Sequence, residues 1–466
     1  MVLIGHSMTQ KEKIRRILKK RGAKLYFIGI GGISMSSLAL MCNMLGAQVS
    51  GSDVVETEIT QRLQTNGIEI YYEQKRENII RASSDMVIYS LSVSPDNEEY
   101  LMAKEQGILT VSRAELLSAL ILDYATAIAV SGSHGKSTTT AMISSALTAS
   151  GLYPTTLCGA EISEHGGILL GRREYLVLEA CEYGGSFLHF CPDVQIFLNL
   201  DLDHTDCYAS IGELMDAFAK AGSNAKQLCI VNTDDENLSA IVPRINTRVV
   251  TFSKKAGSDY RYITYPREHG KYGFKLFFGD KPIGDYPLSV IGEFNAVNAA
   301  AAAVLADVLG IDALCATRGI SEFRGIGRRL EKLKPVNGTD IFYDYAHHPR
   351  EIVSVLDALR GAGYQRIGTV FSPHTYSRTA AFFDDFAKAL SEFDTAIITD
   401  IYGAREARMA GVCAEALVDK INALGGRAFT SDVNNVINYI NESKPDCFVL
   451  MGAGDLEKIK LKLSQE

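Results

Sequence analysis

The chain has 466 residues, 47% of them hydrophobic and 22% charged, with a formal net charge of −8. That hydrophobic content suffices for packed cores, the length suits about three domains of ~150 residues, and the acidic balance speaks against a nucleic-acid protein, which carries a basic face. The nine cysteines contain no C-x-x-C pair, so they read as reduced thiols of a cytoplasmic protein, not as a disulfide frame or a zinc site.

Residues 1–23 hold a short basic lead-in with helical character, Lys11 to Arg21, whose charges read as a solvated face. The uncharged run after Lys24, up to Ser52, imitates a targeting segment. Gly29, Gly31, Gly32, Ser34, Ser36, Ser37, Asn43 and Gly46 interrupt it, so it contains no apolar span of about 18 residues. These glycines sit where a strand over residues 25–28 turns into a helix over 35–45. A second strand, 48–53, ends in Asp53. This is a dinucleotide-type layout: glycines let the backbone approach a pyrophosphate, and an acid about 20 residues on meets a ribose. Taken alone it suggests a nicotinamide enzyme, but the turn reads G-x-G-G-x-x-M-S, with Ser34 where a third glycine is expected. Residues 86–90 read as a later strand, and Ser90, Ser92 and their neighbours up to Asn97 lie at its C-terminal end, where open α/β sheets bind ligands.

The strongest local signal is in residues 126–141. An apolar run over 127–130 predicts a buried strand. Gly132-Ser133-His134-Gly135-Lys136-Ser137 follows, then a helical pattern through Met142, Ile143, Ala146 and Leu147 that stops near Gly151. Strand, Gly-rich turn, Lys-Ser and helix make a phosphate cradle, with backbone N–H groups and a helix N-terminus facing the anion. Lys136 reaches the terminal phosphates in such a loop, and the Ser137 hydroxyl ligates Mg²⁺. Val130 occupies the place of the first glycine of G-x-x-x-x-G-K-[ST]. A strand over 175–182 ends in the acids Glu179 and Glu182, and a buried strand that delivers a carboxylate beside such a loop is how a second Mg²⁺ ligand arrives. Another strand, 194–200, leads to Asp201, Asp203, His204 and Asp206. Period-2 stretches between 250 and 290 predict antiparallel hairpins, and an Ala-rich helix opens after Gly292.

Further on, a strand beginning at Asp340 ends in the polar cluster Asp344, Tyr345, His347 and His348. Adjacent histidines on an extended chain point opposite ways, so at most one faces a given site. Arg378 follows the next strand, and its planar fork suits a carboxylate. The expected architecture is α/β in three domains: a Rossmann-like domain over 1–122, a P-loop ATPase-type domain over 123–326, and a second Rossmann-like domain over 327–466.

The loop Gly132-Ser133-His134-Gly135-Lys136-Ser137-Thr138 resembles the ATP loop of the Mur ligases, the ATP-dependent amino-acid ligases of peptidoglycan synthesis. The opening over residues 26–36 is similar to the alanine-adding branch of that family, and five such motifs occur in the family's order over nearly the whole chain. The resemblance implies that Gly29, Gly31, Gly32, Ser34, Met35, Ser36, Asp53, Ser90 and Ser92 hold a UDP-sugar. ATP would lie on residues 132–138, with Asn295 and Asn298 at adenine, Arg328 of Gly325-Ile326-Gly327-Arg328-Arg329 at a phosphate, and Asp344 nearby. Magnesium would be held by Ser137, Glu179 and His204, and the amino acid by Tyr345, His347 and Arg378. The implied catalytic set is Lys136, Glu179, His204 and Arg328. Departures from the family pattern are Cys181 and Gly184 in place of acids, Phe294 in place of a histidine, and Thr375 where some relatives carry a second arginine. The implied reaction joins L-alanine to UDP-N-acetylmuramate with ATP and Mg²⁺, in the cytoplasm, on a monomer or homodimer with no nucleic-acid or membrane partner. The alternatives are a related ligase for another amino acid or a preformed peptide, a nicotinamide oxidoreductase, and a nucleotide-gated binding module without catalysis.

Overall fold

The computed structural model describes residues 8–90, 92–202, 207–403, 406–431, 433–453 and 456–463. It divides into two compact units, one of Met1–Asp201, Ile211–Tyr260 and Ala301–Gly319, the other of Leu202–Ser210, Arg261–Ala300 and Ile320–Glu466.

In the first unit the basic lead-in is a helix, Gln10–Leu18, started by a Thr9–Glu12 capping box and anchored by the buried Ile14. Five parallel strands follow: β1 (Lys24–Ile28), β2 (Gln48–Ser52), β3 (Glu69–Tyr71), β4 (Met86–Tyr89) and β5 (Leu109–Ser112), in the order β3-β2-β1-β4-β5. The central β1 is apolar from Leu25 on because both faces of a parallel strand are covered. The order reverses at β1, so the loop after it sits at a switch point. The helix expected from residue 35 begins two residues earlier, at Ile33, because Gly32 takes the extended N-cap position.

A second sheet in this unit contains β6 (Thr126–Ser131), β7 (Pro154–Leu157), β8 (Ile168–Leu169), β9 (Arg172–Glu179), β10 (Val194–Phe197), β11 (Leu228–Asn232) and β12 (Val249–Ser253), ordered β12-β11-β10-β6-β9-β7-β8. All neighbours run parallel except β8 against β7. The chain builds β7 to β9 on one side of β6 and then crosses to β10, which places a second switch point at the end of β6. Two expected strands end early: β9 begins three residues sooner than expected, at Arg172, and stops at Glu179, and β10 stops at Phe197.

In the second unit, β13 (Tyr260–Pro266), β14 (Lys271–Phe278) and β15 (Lys281–Ile291) are the hairpin strands, with β14 antiparallel to β15. Phe274 stacks on Tyr286 at 4.7 Å between ring centroids. The last sheet holds β16 (Glu331–Lys332), β17 (Asp340–Asp344), β18 (Ile367–Ser372), β19 (Thr395–Ile398), β20 (Ala428–Thr430) and β21 (Cys447–Gly452), ordered β16-β17-β21-β18-β19-β20. It is parallel apart from the edge strand β16. Ile352, Leu356 and Leu359 of the helix Pro349–Gly361 pack with Phe386 and Leu390 on one face of this sheet. No helix among the described residues is long and apolar enough to cross a membrane.

Candidate active site

The phosphate loop is built by β6 and the helix Lys136–Ala149. Gly135 takes the N-cap position in the left-handed region, φ 81°, so no side chain covers the first N–H groups of the helix. Gly132 has φ 148°, and a β-carbon there would press on Leu198 and Asn199. The loop is braced from the end of β10. Asn199 accepts from His134 N at 2.7 Å and donates to His134 O at 3.0 Å, while the Ser133 hydroxyl bonds the Asp201 backbone. His134 Nε2 lies 3.3 Å from Asp201 Oδ2.

Two acids enter this loop from the end of β9. Ser137 Oγ donates to Glu179 Oε2 at 2.8 Å, and Gly159 N donates to the same oxygen at 2.8 Å. Lys136 Nζ contacts Gly132 O at 2.5 Å, Ser133 O at 3.2 Å and the Glu182 carboxylate at 3.2–3.3 Å. Burial is the largest influence and opposes the lysine's charge, but Glu182, Cys181 and Glu179 together outweigh it and the net shift of its pKa is upward. Ser137 and Glu179 present hard oxygen donors beside the Gly-rich loop, the donor type that Mg²⁺ takes. His204 lies outside the described residues.

The loop after β1 turns at Gly29, φ 76°, where Gly29 N and Ile30 N both donate to Ser52 O. Gly32 caps the helix Ile33–Met44 without a side-chain bond, leaving its first amides for an anion. Asp53 has a use the sequence did not reveal: Oδ2 accepts from Gly31 N at 2.8 Å, so it pins the loop. Ser36 and Ser37 donate back to Ile33 O, Met35 is buried, Ser34 is exposed, and Ser90 and Ser92 bond each other at 2.7 Å.

Asn295, Asn298, Arg328, Asp344, Tyr345, His347 and Arg378 lie in the second unit. Asn298 Nδ2 donates to Asn295 Oδ1 at 3.2 Å, and Asn295 to Ile291 O at 2.8 Å. The Arg328 guanidinium lies over Tyr345 at 4.7 Å and Tyr343 at 5.2 Å. Its Nε is buried without a hydrogen-bond partner among the described residues. Asp344 accepts from Leu330 N and Ala346 N, both at 2.7 Å. Burial raises it to about 6 even though Arg329 and these amides pull the other way. His348 is spent on structure: its ring caps the helix Pro349–Gly361. His347 turns elsewhere, with Nδ1 2.9 Å from Tyr345 O and its ring 6.5 Å from that of His374. Arg378 sits within the short helix Tyr376–Ala381 rather than in a loop, and its Nη1 is 3.1 Å from His374 Nδ1. His347 and Arg378 thus both approach His374, Tyr345 packs edge-on against the His347 ring at 5.1 Å, and Tyr402 stacks on His374 at 5.8 Å.

Three family models match this chain in order: the Mur ligase family catalytic domain over residues 24–125, the Mur ligase middle domain over 130–306, and the Mur ligase glutamate ligase domain over 328–454. The chain belongs to the Mur ligase family. The ligase is 38% identical over 451 residues to the UDP-N-acetylmuramate–L-alanine ligase of Caldanaerobacter subterraneus subsp. tengcongensis, covering 95% of this chain and 97% of that one. It is 39% identical to the enzyme of the same name from Acetivibrio thermocellus, covering 93% and 94%. Its fold matches the crystal structure of the UDP-N-acetylmuramate-alanine ligase of Thermotoga maritima with a TM-score of 0.82 at 28% identity, covering 95% and 98%.

Glu182, Asn199 and Asp201 of the ligase escaped the sequence reading as site residues. Glu182 left one sign, an acid three positions beyond Glu179 just past a strand. Asn199 and Asp201 left none, because their role depends on β10 lying beside β6.

Proposed function

We propose a division of labour among these residues for the ATP-dependent ligation of L-alanine to UDP-N-acetylmuramate, the reaction of this ligase in peptidoglycan synthesis. The substrate carboxylate is a poor electrophile. One of its oxygens forms a bond to the γ-phosphorus of ATP as the bond to the β–γ bridging oxygen breaks, and ADP leaves with the electron pair. The amine of alanine then adds to the acyl carbon, the C–O bond to phosphate breaks, and the amine loses a proton as inorganic phosphate departs. The observation that carries this assignment is the meeting of Lys136, Ser137, Glu179 and Glu182 at the end of β6.

Residues 132–138 cradle the phosphates, and Lys136 neutralises charge on the group in transfer. Ser137 and Glu179, joined by His204, would hold Mg²⁺, which supplies neutralisation of phosphate charge when bound. Asn295 and Asn298 are assigned to adenine, and Arg328 and Asp344 to the phosphate side of ATP. Gly29, Gly31, Gly32, Ser34, Met35, Ser36, Ser90 and Ser92 are assigned to the UDP-sugar, with Asp53 holding their loop in shape. Tyr345 and His347 shape the alanine pocket, and Arg378 binds the carboxylate. The domain limits proposed are 1–122, 123–326 and 327–466. The nucleotide-linked substrates favour a cytoplasmic enzyme. Release of phosphate from ATP in the presence of UDP-N-acetylmuramate, with and without L-alanine, tests the reading. Turnover that needs both partners supports it, whereas oxidation of a nicotinamide or phosphate release indifferent to alanine overturns it. Lys136→Ala should lower ligation by about 10²–10³-fold or more while the protein stays folded.

A further inference from the structure

Within the first unit, a cleft lies between the two N-terminal helices Ile33–Met44 and Arg113–Leu120 and the ends of β7 and β9. Ser34, Ser37, Arg113, Cys158, Glu179 and Cys181 line it. One wall therefore belongs to the helix that opens on the sugar-nucleotide loop. The opposite wall is Glu179, which bonds Ser137 of the phosphate loop. The cleft therefore joins the helix after the β1 loop to the acid that bonds Ser137.

Arg113 is the cation there. It opens its helix directly after Ser112, whose capping box with Glu115 fixes the backbone. The side chain is half-buried and makes no hydrogen bond or ion pair with the described residues. Glu179 and Cys181 are the titratable groups whose fields reach it, while burial works against its charge. Cys181 offers no counter-charge, since burial pushes its thiol up to about 12 and keeps it neutral. Glu179 has its Oε2 already taken by Ser137 and by Gly159 N. A guanidinium held in an enclosed place costs desolvation unless something pairs with it, and its planar fork matches a carboxylate at two points.

We propose that Arg113 binds the reacting carboxylate of UDP-N-acetylmuramate and holds it for attack on the γ-phosphorus. This rests on the ligase reading above. In the step it serves, the carboxylate oxygen gains the O–P bond, the β–γ bridging O–P bond breaks, and no proton moves. Arg113 pairs with the anion before transfer and with the acyl phosphate after it.

The test compares two ligands on the full chain by calorimetry: UDP-N-acetylmuramate, and UDP-N-acetylglucosamine, which lacks the lactyl carboxylate. The wild type should prefer the first. Arg113→Ala should weaken UDP-N-acetylmuramate about 10–100-fold, the loss of a charge-assisted bond, and leave UDP-N-acetylglucosamine unchanged. Arg113→Lys should fall between, with kcat reduced and the KM values for ATP and alanine unaltered. An equal loss for both ligands, no loss for either, or a wild type that does not prefer the carboxylate overturns the proposal. If Arg113→Ala melts early or fails to fold, the two-ligand comparison on Arg113→Lys decides instead. Failure of the ligase reading has its own sign, a wild type that releases no phosphate with both substrates present.

Discussion

Glu182→Gln should destabilise the free enzyme far more than the nucleotide-bound one. Lys136 and Glu182 form a buried pair, with side chains 11% and 2% exposed and 3.2 Å between charged atoms. The lysine's pKa is raised above its ordinary 10.5, so the pair's contribution is fully present below that pH and is lost only as pH rises through the folded value. Near neutral pH the whole contribution is therefore in force. Removing one charge leaves an ammonium against the carbonyls of Gly132 and Ser133. Breaking a buried pair in this way costs about 3–5 kcal/mol, with glutamine at the lower end because it keeps an acceptor oxygen. At about 2–4 °C per kcal/mol for a domain of this size, that lower end of about 3 kcal/mol should drop the melting temperature by roughly 6–12 °C. A triphosphate in the cradle supplies the missing negative charge, so a saturating non-hydrolysable ATP analogue should remove most of the deficit. Thermal unfolding of both proteins with and without the analogue measures this. A deficit of the same size in both conditions refutes an exchange of Glu182 for phosphate, and a variant as stable as the wild type refutes the pair itself.

Gly159→Ala would place a β-carbon 2.9 Å from Glu179 Oε2, displacing that carboxylate from Ser137. Activity or apparent Mg²⁺ affinity should fall about 10–100-fold, as for loss of a supporting contact at a metal site, and an unchanged Mg²⁺ titration argues against Glu179 as a ligand. Arg378→Lys keeps the charge but loses the fork. It should raise the KM for alanine about 10–100-fold and leave that for ATP alone, with Thr375 unable to compensate; an unaltered alanine KM moves the amino-acid site elsewhere. Asp344, raised by burial to about 6 from 3.8, holds its proton more tightly when folded. Its contribution is full below 3.8 and is lost as pH rises through about 6. Relative to Asp344→Asn, the wild type should therefore lose up to about 3 kcal/mol over that window, roughly two units at 1.36 kcal/mol each, in urea unfolding at both ends. A flat difference contradicts the shift.

The Gly-rich turn between strand and helix was legible in the sequence because its parts are adjacent: Gly132, Gly135, Lys136 and Ser137 lie on one turn and one helix start. The hairpins between residues 250 and 290 were legible for the same reason, since period-2 patterning is a property of a single strand. Asp53 was read as a ribose ligand, and only the fold shows it bound to Gly31 N, an arrangement that needs β2 beside β1. Glu182 was hidden because the apolar run suggested a strand through it. The chain instead leaves β9 at Glu179 and turns through Gly184 and Gly185, φ 58° and 67°, so that Glu182 comes to lie under Lys136. Asn199 and Asp201 reach the loop from β10, and Arg113 comes to line a cleft with Glu179 from a helix that follows a different sheet. Residue type and short spacing determine which stretch can hold a phosphate. Which distant side chains neutralise, brace or complete that stretch depends on strand order, and strand order is decided by the burial of whole faces, which no local window of the sequence contains.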